Sequence, residues 1–262
     1  MVTGSSTGIG RAIALALASQ GARLVIHGRR QSEQLRQTAE LLERAGHSPA
    51  MVTADFASDE LDAFIDAAWK QAGPIDVWVN NAGGDVLTTD WAECSLDEQL
   101  DYLWRVDVRA TLLLSRAIGE RMRAHIRRQP DSEDAPPEGS RCIINMGWDQ
   151  ALQGMAGDSG QLFATTKGAV MAMTGSLAQS LAPEVRVNAV APGWIQTQWG
   201  LQASDYWDSR ARQESLMQRW GTPEDVAHAV AWLASPAAHF VAGHVLPVNG
   251  GFRYGQGTTQ TP

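Results

Sequence analysis

The chain has 262 residues, 44% of them apolar, with 25 glycines and a formal net charge of −8. That size and composition fit one compact α/β domain, and the acidic balance argues against a nucleic-acid partner, which normally meets a basic face. No apolar run approaches the ~20 residues of a membrane-spanning helix, and Cys94 and Cys142 lack metal-ligand spacing, so we expect a cytoplasmic protein with no membrane partner, no disulfide framework and no metal.

In chain order, short Val- and Ile-rich runs alternate with amphipathic segments, the βαβα rhythm of a parallel sheet covered by helices on both faces. A central strand of ~5 residues should precede Gly4. Only Met1, Val2 and Thr3 are available, so that strand is either unusually short or begins upstream of this chain. Further strands are expected at 23–27, 50–54, 75–80, 141–146, 185–191 and 244–249, and helices at 9–20, 31–45, 58–72, 96–128, 161–182 and 223–234. The last helix has clear start signals: Thr222 can cap it, Pro223 suits its first turn, and Glu224 and Asp225 favour its positive end. The basic run RMRAHIRR, 121–128, reads as a solvated helix end. Two stretches break the rhythm. The acidic, proline-rich 130–140 reads as an exposed insertion, and the irregular 196–215 as a lid over a ligand site beyond the strand ends. Residues 1–262 therefore read as one three-layer domain.

The opening TGSSTGIGRAIALALA, 3–18, is a turn running into a helix. Gly4, Gly8 and Gly10 permit a tight backbone, and the first N–H groups of the helix form an anion site. Thr3, Gly4, Gly8 and Gly10 match T-G-x-x-x-G-x-G. Asn80, Asn81, Ala82 and Gly83 match N-N-A-G, and Pro192 and Gly193 follow the sixth strand. With RWGTPEDVAHAVAWL and VNGG near the end, these motifs resemble the short-chain dehydrogenase/reductase family in order over residues 1–251. The resemblance implies a Rossmann-type, doubly wound sheet that binds a nicotinamide dinucleotide and assembles as a homodimer or homotetramer through the helices 96–128 and 161–182. By position it puts Gly4, Ser6, Gly8, Ile9 and Gly10 at the pyrophosphate, Asp55 at the adenine, and Asn81, Ala82 and Gly83 at the adenosine ribose. Pro192, Gly193, Ile195 and Thr197 fall at the nicotinamide. A carboxylate at the end of the second strand would bind the ribose hydroxyls of NAD; this chain has His27, Gly28, Arg29 and Arg30 there instead. An arginine fork matches a phosphate, so NADP(H) is expected, with Arg29 ahead of Arg30.

The family's catalytic set is Asn, Ser, Tyr and Lys. Here only the lysine matches, as Lys167, which would hold the nicotinamide ribose. Phe163 stands at the tyrosine position, Gly147 and Trp148 where hydroxyls belong, and Asp107 in place of the asparagine. Loss of a positioned general acid costs ~10²–10⁴-fold. Three readings stay open. Asp149 or Asp107 replaces the acid. Alternatively, the substrate is an iminium or other carbonyl-like small molecule that needs little acid, held by Trp148, Phe163, Trp194, Trp199 and Trp207. Or the protein binds NADP(H) without turnover. Asp158, in a glycine-rich loop, is the weakest candidate acid.

Overall fold

The structure is a computed structural model that describes residues 1–58, 61–128 and 140–253. Six parallel strands form it: β1 (Val25–Gly28), β2 (Ala50–Thr53), β3 (Val77–Asn80), β4 (Arg141–Met146), β5 (Val185–Pro192) and β6 (Val245–Val248). β1 pairs with β2, and β3 through β6 lie in sequence order. Val2 joins the two groups by bridging Ile26 on one side and Val79 on the other. Met1–Thr3 thus takes the place of the expected central strand. Its Val2 N–H donates to Val25 at 3.0 Å, and its Met1 carbonyl accepts from Val79 at 2.9 Å. The chain order reverses at this segment, which makes it the switch point where doubly wound sheets bind ligands.

The helices are α1 (Gly8–Ser19), α2 (Glu33–Arg44), α3 (Leu61–Ala72), α4 (Leu96–Leu103), α5 (Ala110–Arg127), α6 (Asp158–Leu181), α7 (Gln198–Leu201), α8 (Asp205–Glu214) and α9 (Pro223–Ala234). Alternation along β4 explains the two-sided cover. Cys142 and Ile144 face a core shared with α1, α2 and α9, and Ile143 faces a core shared with α3, α5 and α6. Each fully buried Ile or Leu contributes about 1.5–3 kcal/mol. The two apolar rows therefore fix which face each crossover helix must cover. Burial also pushes the Cys142 thiol up to about 11, as expected of an inert core residue.

Several expectations need correction. Residues 196–215 are not irregular: α7 and α8 occupy most of them. Asp205 and Asp208 stand in the first turn of α8 and Arg212 in its last, the charge order that favours a helix. Asp158 opens α6 rather than lying in a loop, so this helix starts three residues before the expected 161. The helix expected at 96–128 is interrupted by a π turn, Trp104–Arg109. Such turns are rare and cluster at functional sites. Residues 129–139, nearly all of the expected insertion, lie outside the described residues. Of the basic run, Arg121 pairs with Asp66, and Arg127 pairs with Glu184 at 2.9 Å, consistent with a solvated helix end.

Candidate dinucleotide and substrate site

The glycine turn after Thr3 is held from both sides. Thr3 Oγ1 accepts from the N–H groups of Asn81 and Ala82, both at 2.9 Å. The Asn81 amide donates to the carbonyls of Thr3 and Gly4 at 3.0 Å each. Asn81 is thus spent on the turn itself, a structural duty beyond the ribose contact expected of it. Gly4 has φ +62°, and a Cβ there would stand 2.7 Å from the Ala82 Cα; at Gly10 a Cβ would meet the Gly4 carbonyl at 2.2 Å. The same logic at the end of β1 was not anticipated. A Cβ on Gly28 would approach Ser6 Oγ to 2.7 Å, so a side chain there would turn the Ser6 hydroxyl away.

His27, also unanticipated, completes the support. Its Nδ1 accepts from the Gly4 N–H at 3.0 Å, and Nε2 lies 3.1 Å from the Ala54 carbonyl. The ring stacks on Phe56 with centroids 4.6 Å apart. Acceptance at Nδ1 requires the neutral ring with its proton on Nε2. Burial agrees, pushing the His27 pKa down to about 4.

Beyond the turn opens a cavity of about 390 Å³ lined by Gly4, Ser6, Arg29, Asp55, Ala82 and Tyr102, among others. Arg29 reaches the Tyr102 hydroxyl, whose pKa burial raises and the guanidinium opposes. Tyr102 in turn stacks on Trp91 at 4.3 Å. Arg30 is exposed and does not line this cavity. Glycine freedom at the turn, the opening of α1 and a lining arginine together fit a phosphate-bearing dinucleotide.

A second cavity, about 630 Å³, is lined by Ile9, Gly84, Lys167, Gly193, Ile195 and Thr197, among others, while Gly83, the neighbour of Gly84, lines the first. A Cβ at Gly8 would lie 3.7 Å from Thr197 Cγ2, so the start of α1 and the segment after β5 close on each other there. Lys167 Nζ stands 2.9 Å from Asp107 Oδ2, as an ion pair rather than an aligned hydrogen bond. Asp107 Oδ1 accepts from the Gly84 N–H at 2.7 Å. A Cβ on Gly83 would sit 3.4 Å from that oxygen and 3.5 Å from Lys167 Nζ. The π turn places Asp107 behind the lysine: the carboxylate side chain is fully buried while the lysine keeps 15% exposure.

Asp149 is not brought to this group. It opens a short 3₁₀ turn, Asp149–Ala151, and its Oδ2 accepts from Asn249 at 3.1 Å. Only Trp148, the residue before it, lines the cavity. Burial raises the Asp149 pKa to about 6, against the opposing hydrogen bond from Asn249. The carboxyl is packed behind Gly193, whose Cβ would come within 3.0 Å of it.

Three aromatic residues of the lid side, Trp194, Trp199 and Trp207, line the second cavity with Trp148 and Phe163. Trp148 and Phe163 meet edge to face at 6.2 Å. Ser159 lines it too, one turn before Phe163 and two before Lys167 on α6. The i, i+4 spacing makes that hydroxyl legible in sequence, though it was not singled out. Glu214, at the end of α8, ties this segment to its neighbours. It accepts from Trp194 Nε1 at 2.8 Å, Gln150 Nε2 at 3.2 Å and Arg210 Nε at 2.6 Å.

A sequence profile described as enoyl-(acyl carrier protein) reductase matches residues 4–253. The chain is 35% identical to 3β-hydroxysteroid dehydrogenase 1 of Eggerthella lenta, the match covering 98% of this chain and 96% of that one. It is 32% identical to a 3-oxoacyl-(acyl-carrier-protein) reductase of Aquifex aeolicus, covering 96% and 95%. Among solved structures, a short-chain dehydrogenase from Burkholderia cenocepacia in complex with NADP superposes with a TM-score of 0.80 at 29% identity, over 95% of both chains.

Proposed function

The chain belongs to the short-chain dehydrogenase/reductase family of oxidoreductases, and from that premise we propose that it is an NADP(H)-dependent member acting on a small-molecule carbonyl or imine without the usual tyrosine acid. When bound, the dinucleotide supplies or accepts hydride; all other tasks fall to residues of the chain. Gly4, Ser6, Gly8, Ile9 and Gly10 hold the pyrophosphate at the start of α1. Asp55 and Arg29 line the adenosine cavity, Arg29 taking the 2′-phosphate in preference to Arg30. Lys167, fixed by Asp107, orders the nicotinamide ribose beside Gly83. Pro192, Gly193, Ile195 and Thr197 border the nicotinamide.

The observation that carries this reading is the nearness of the two cavities at Gly83 and Gly84: Gly83 lines the first, Gly84 and Lys167 line the second, and a Cβ on Gly83 would sit 3.5 Å from Lys167 Nζ. Phe163 in that chamber offers no proton. Lys167, Ser159, Thr197 or water is left to serve the substrate oxygen or nitrogen, and Asp149 acts at most from behind the wall.

The second reading is an NADP(H)-binding protein without turnover. It is favoured by the absence of any carboxylate or phenol from the substrate chamber among the described residues. One experiment separates the two. NADPH binding is followed by nicotinamide fluorescence, and NADPH oxidation is then measured against ketones, quinones, pterins and cyclic imines. Saturable binding with turnover supports the enzyme; saturable binding alone supports the silent protein; no binding of either reduced nicotinamide removes both. We also infer a homodimer or homotetramer. Trp104, Leu112 and Leu113 expose 46%, 38% and 38% of their surface along the π turn and α5, an apolar face that a second copy would cover.

A further inference from the structure

We propose that the substrate chamber selects uncharged, flat, multi-ring ligands and rejects organic cations of the same shape. This rests on the reading of the second cavity as the substrate site. Its volume of about 630 Å³ includes the space beside Pro192, Gly193, Ile195 and Thr197 that the nicotinamide would take, and the five aromatic rings line the remainder. Trp148 and Phe163 form one cluster, 6.2 Å between centroids, and Trp194, Trp199 and Trp207 another, 5.6–6.2 Å apart. The two clusters come from different elements, the β4–α6 region and the segment after β5, so a planar ligand can meet rings of both.

Aromatic walls alone would also attract a cation. The distribution of charge decides against it. Lys167 is the single ionisable residue lining the chamber among the described residues. Its ammonium is on the accessible side and its counter-charge, Asp107, is fully buried behind it. The other nearby carboxylates are turned away: Asp149 faces Asn249, and Glu214 faces Trp194, Gln150 and Arg210. The attraction of the rings for cations is already used by the chain itself. The Arg210 guanidinium lies 5.5 Å from the Trp194 centroid and 5.4 Å from that of Trp207. An organic cation would lose its hydration, find no carboxylate, and face an ammonium. A neutral ring system loses little hydration and can turn a carbonyl oxygen toward Lys167. The iminium reading of the sequence is therefore the less favourable of the substrate classes considered.

The test is calorimetric titration of the full-length protein, with and without NADPH, using three probes: 9-fluorenone, the similarly shaped N-methylacridinium cation, and cyclohexanone. We expect fluorenone to bind about tenfold or more tighter than either of the others. Equal or tighter binding of the cation overturns the charge argument, and equal binding of cyclohexanone overturns the stacking argument. Trp207→Leu, with folding checked by circular dichroism, should weaken fluorenone binding several-fold; unchanged affinity places the ligand elsewhere and overturns the assignment. Arg210→Gln should raise the affinity of the cation relative to fluorenone. NADPH is titrated separately, so loss of cofactor binding would defeat the proposed function while leaving the fluorenone preference to stand or fall by itself.

Discussion

The proposed phosphate end and the proposed substrate end are built on opposite principles. At the phosphate end the contacts are backbone on backbone. Gly4 and Gly10 have no room for a methyl group, and the Asn81 and His27 side chains hold the main chain in place. At the substrate end the walls are large side chains, Trp148, Phe163, Trp194, Trp199 and Trp207, whose area rather than whose backbone shapes the space. A close backbone approach has few solutions, so it leaves a fixed pattern of residues. An aromatic wall has many, because rings from any neighbouring element can fill the same volume. The first region therefore announces its ligand and the second only its character.

The sharpest way to break this contrast is Gly10→Ala. The added methyl meets the Gly4 carbonyl at 2.2 Å, so we expect loss of about 3 kcal/mol of stability and no measurable NADPH binding. Wild-type affinity would show that the turn tolerates what the geometry forbids. Next is Asp149→Asn. With a folded pKa of about 6 against a usual 3.8, the buried carboxyl is costly when ionised. Its penalty is absent below pH 4 and grows as pH rises to about 6. The variant should gain about 3 kcal/mol relative to the parent on going from pH 4 to pH 7, read by denaturant titration. A pH-independent difference would mean that Asp149 is not desolvated. His27 works in the other sense. Its folded pKa of about 4 lies below the usual 6.5, so its contribution is complete above pH 6.5 and is lost as pH falls toward 4. The two terms oppose each other between pH 4 and 6, and single variants are needed to see either.

Smaller effects probe the ligand-facing residues. Arg29→Asp should lower the NADPH-to-NADH affinity ratio about tenfold or more, because it removes a charge-assisted bond and adds repulsion; an unchanged ratio would remove Arg29 from phosphate recognition. Glu214→Gln should cost about 1 kcal/mol, since it leaves Trp194 and Gln150 an acceptor but discharges the contact with Arg210. Its mark should be a changed KM for bulky substrates with NADPH affinity preserved.

Much of the fold was legible because the apolar runs had one possible period and the glycines one possible use. All six strands fall within a few residues of expectation. Residues 196–215 were misread as irregular although Ser204, Asp205, Asp208 and Arg212 carried helix signals; the many polar residues of the segment hid them. The site was legible only in part. Lys167 and Asp107 could each be placed by motif, but their pairing joins positions sixty apart and depends on a π turn that no periodicity announces. Asp149 was named as a replacement acid, yet which way its carboxyl points depends on Asn249, a hundred residues on. His27 and Gly28 were read for the carboxylate they lack, and their support of the turn came from packing that sequence spacing does not reveal.

The segment Met1–Thr3 has one more implication. It is the sole stitch between the β1–β2 pair and the other four strands among the described residues, and the glycine loop hangs directly from its end. Gripping a pyrophosphate there should tighten the seam of the whole sheet. Amide hydrogens of Val2, Thr3 and Val79 ought to become the most slowed in hydrogen exchange when NADPH binds, a protection that spreads outward from a three-residue suture rather than inward from the periphery.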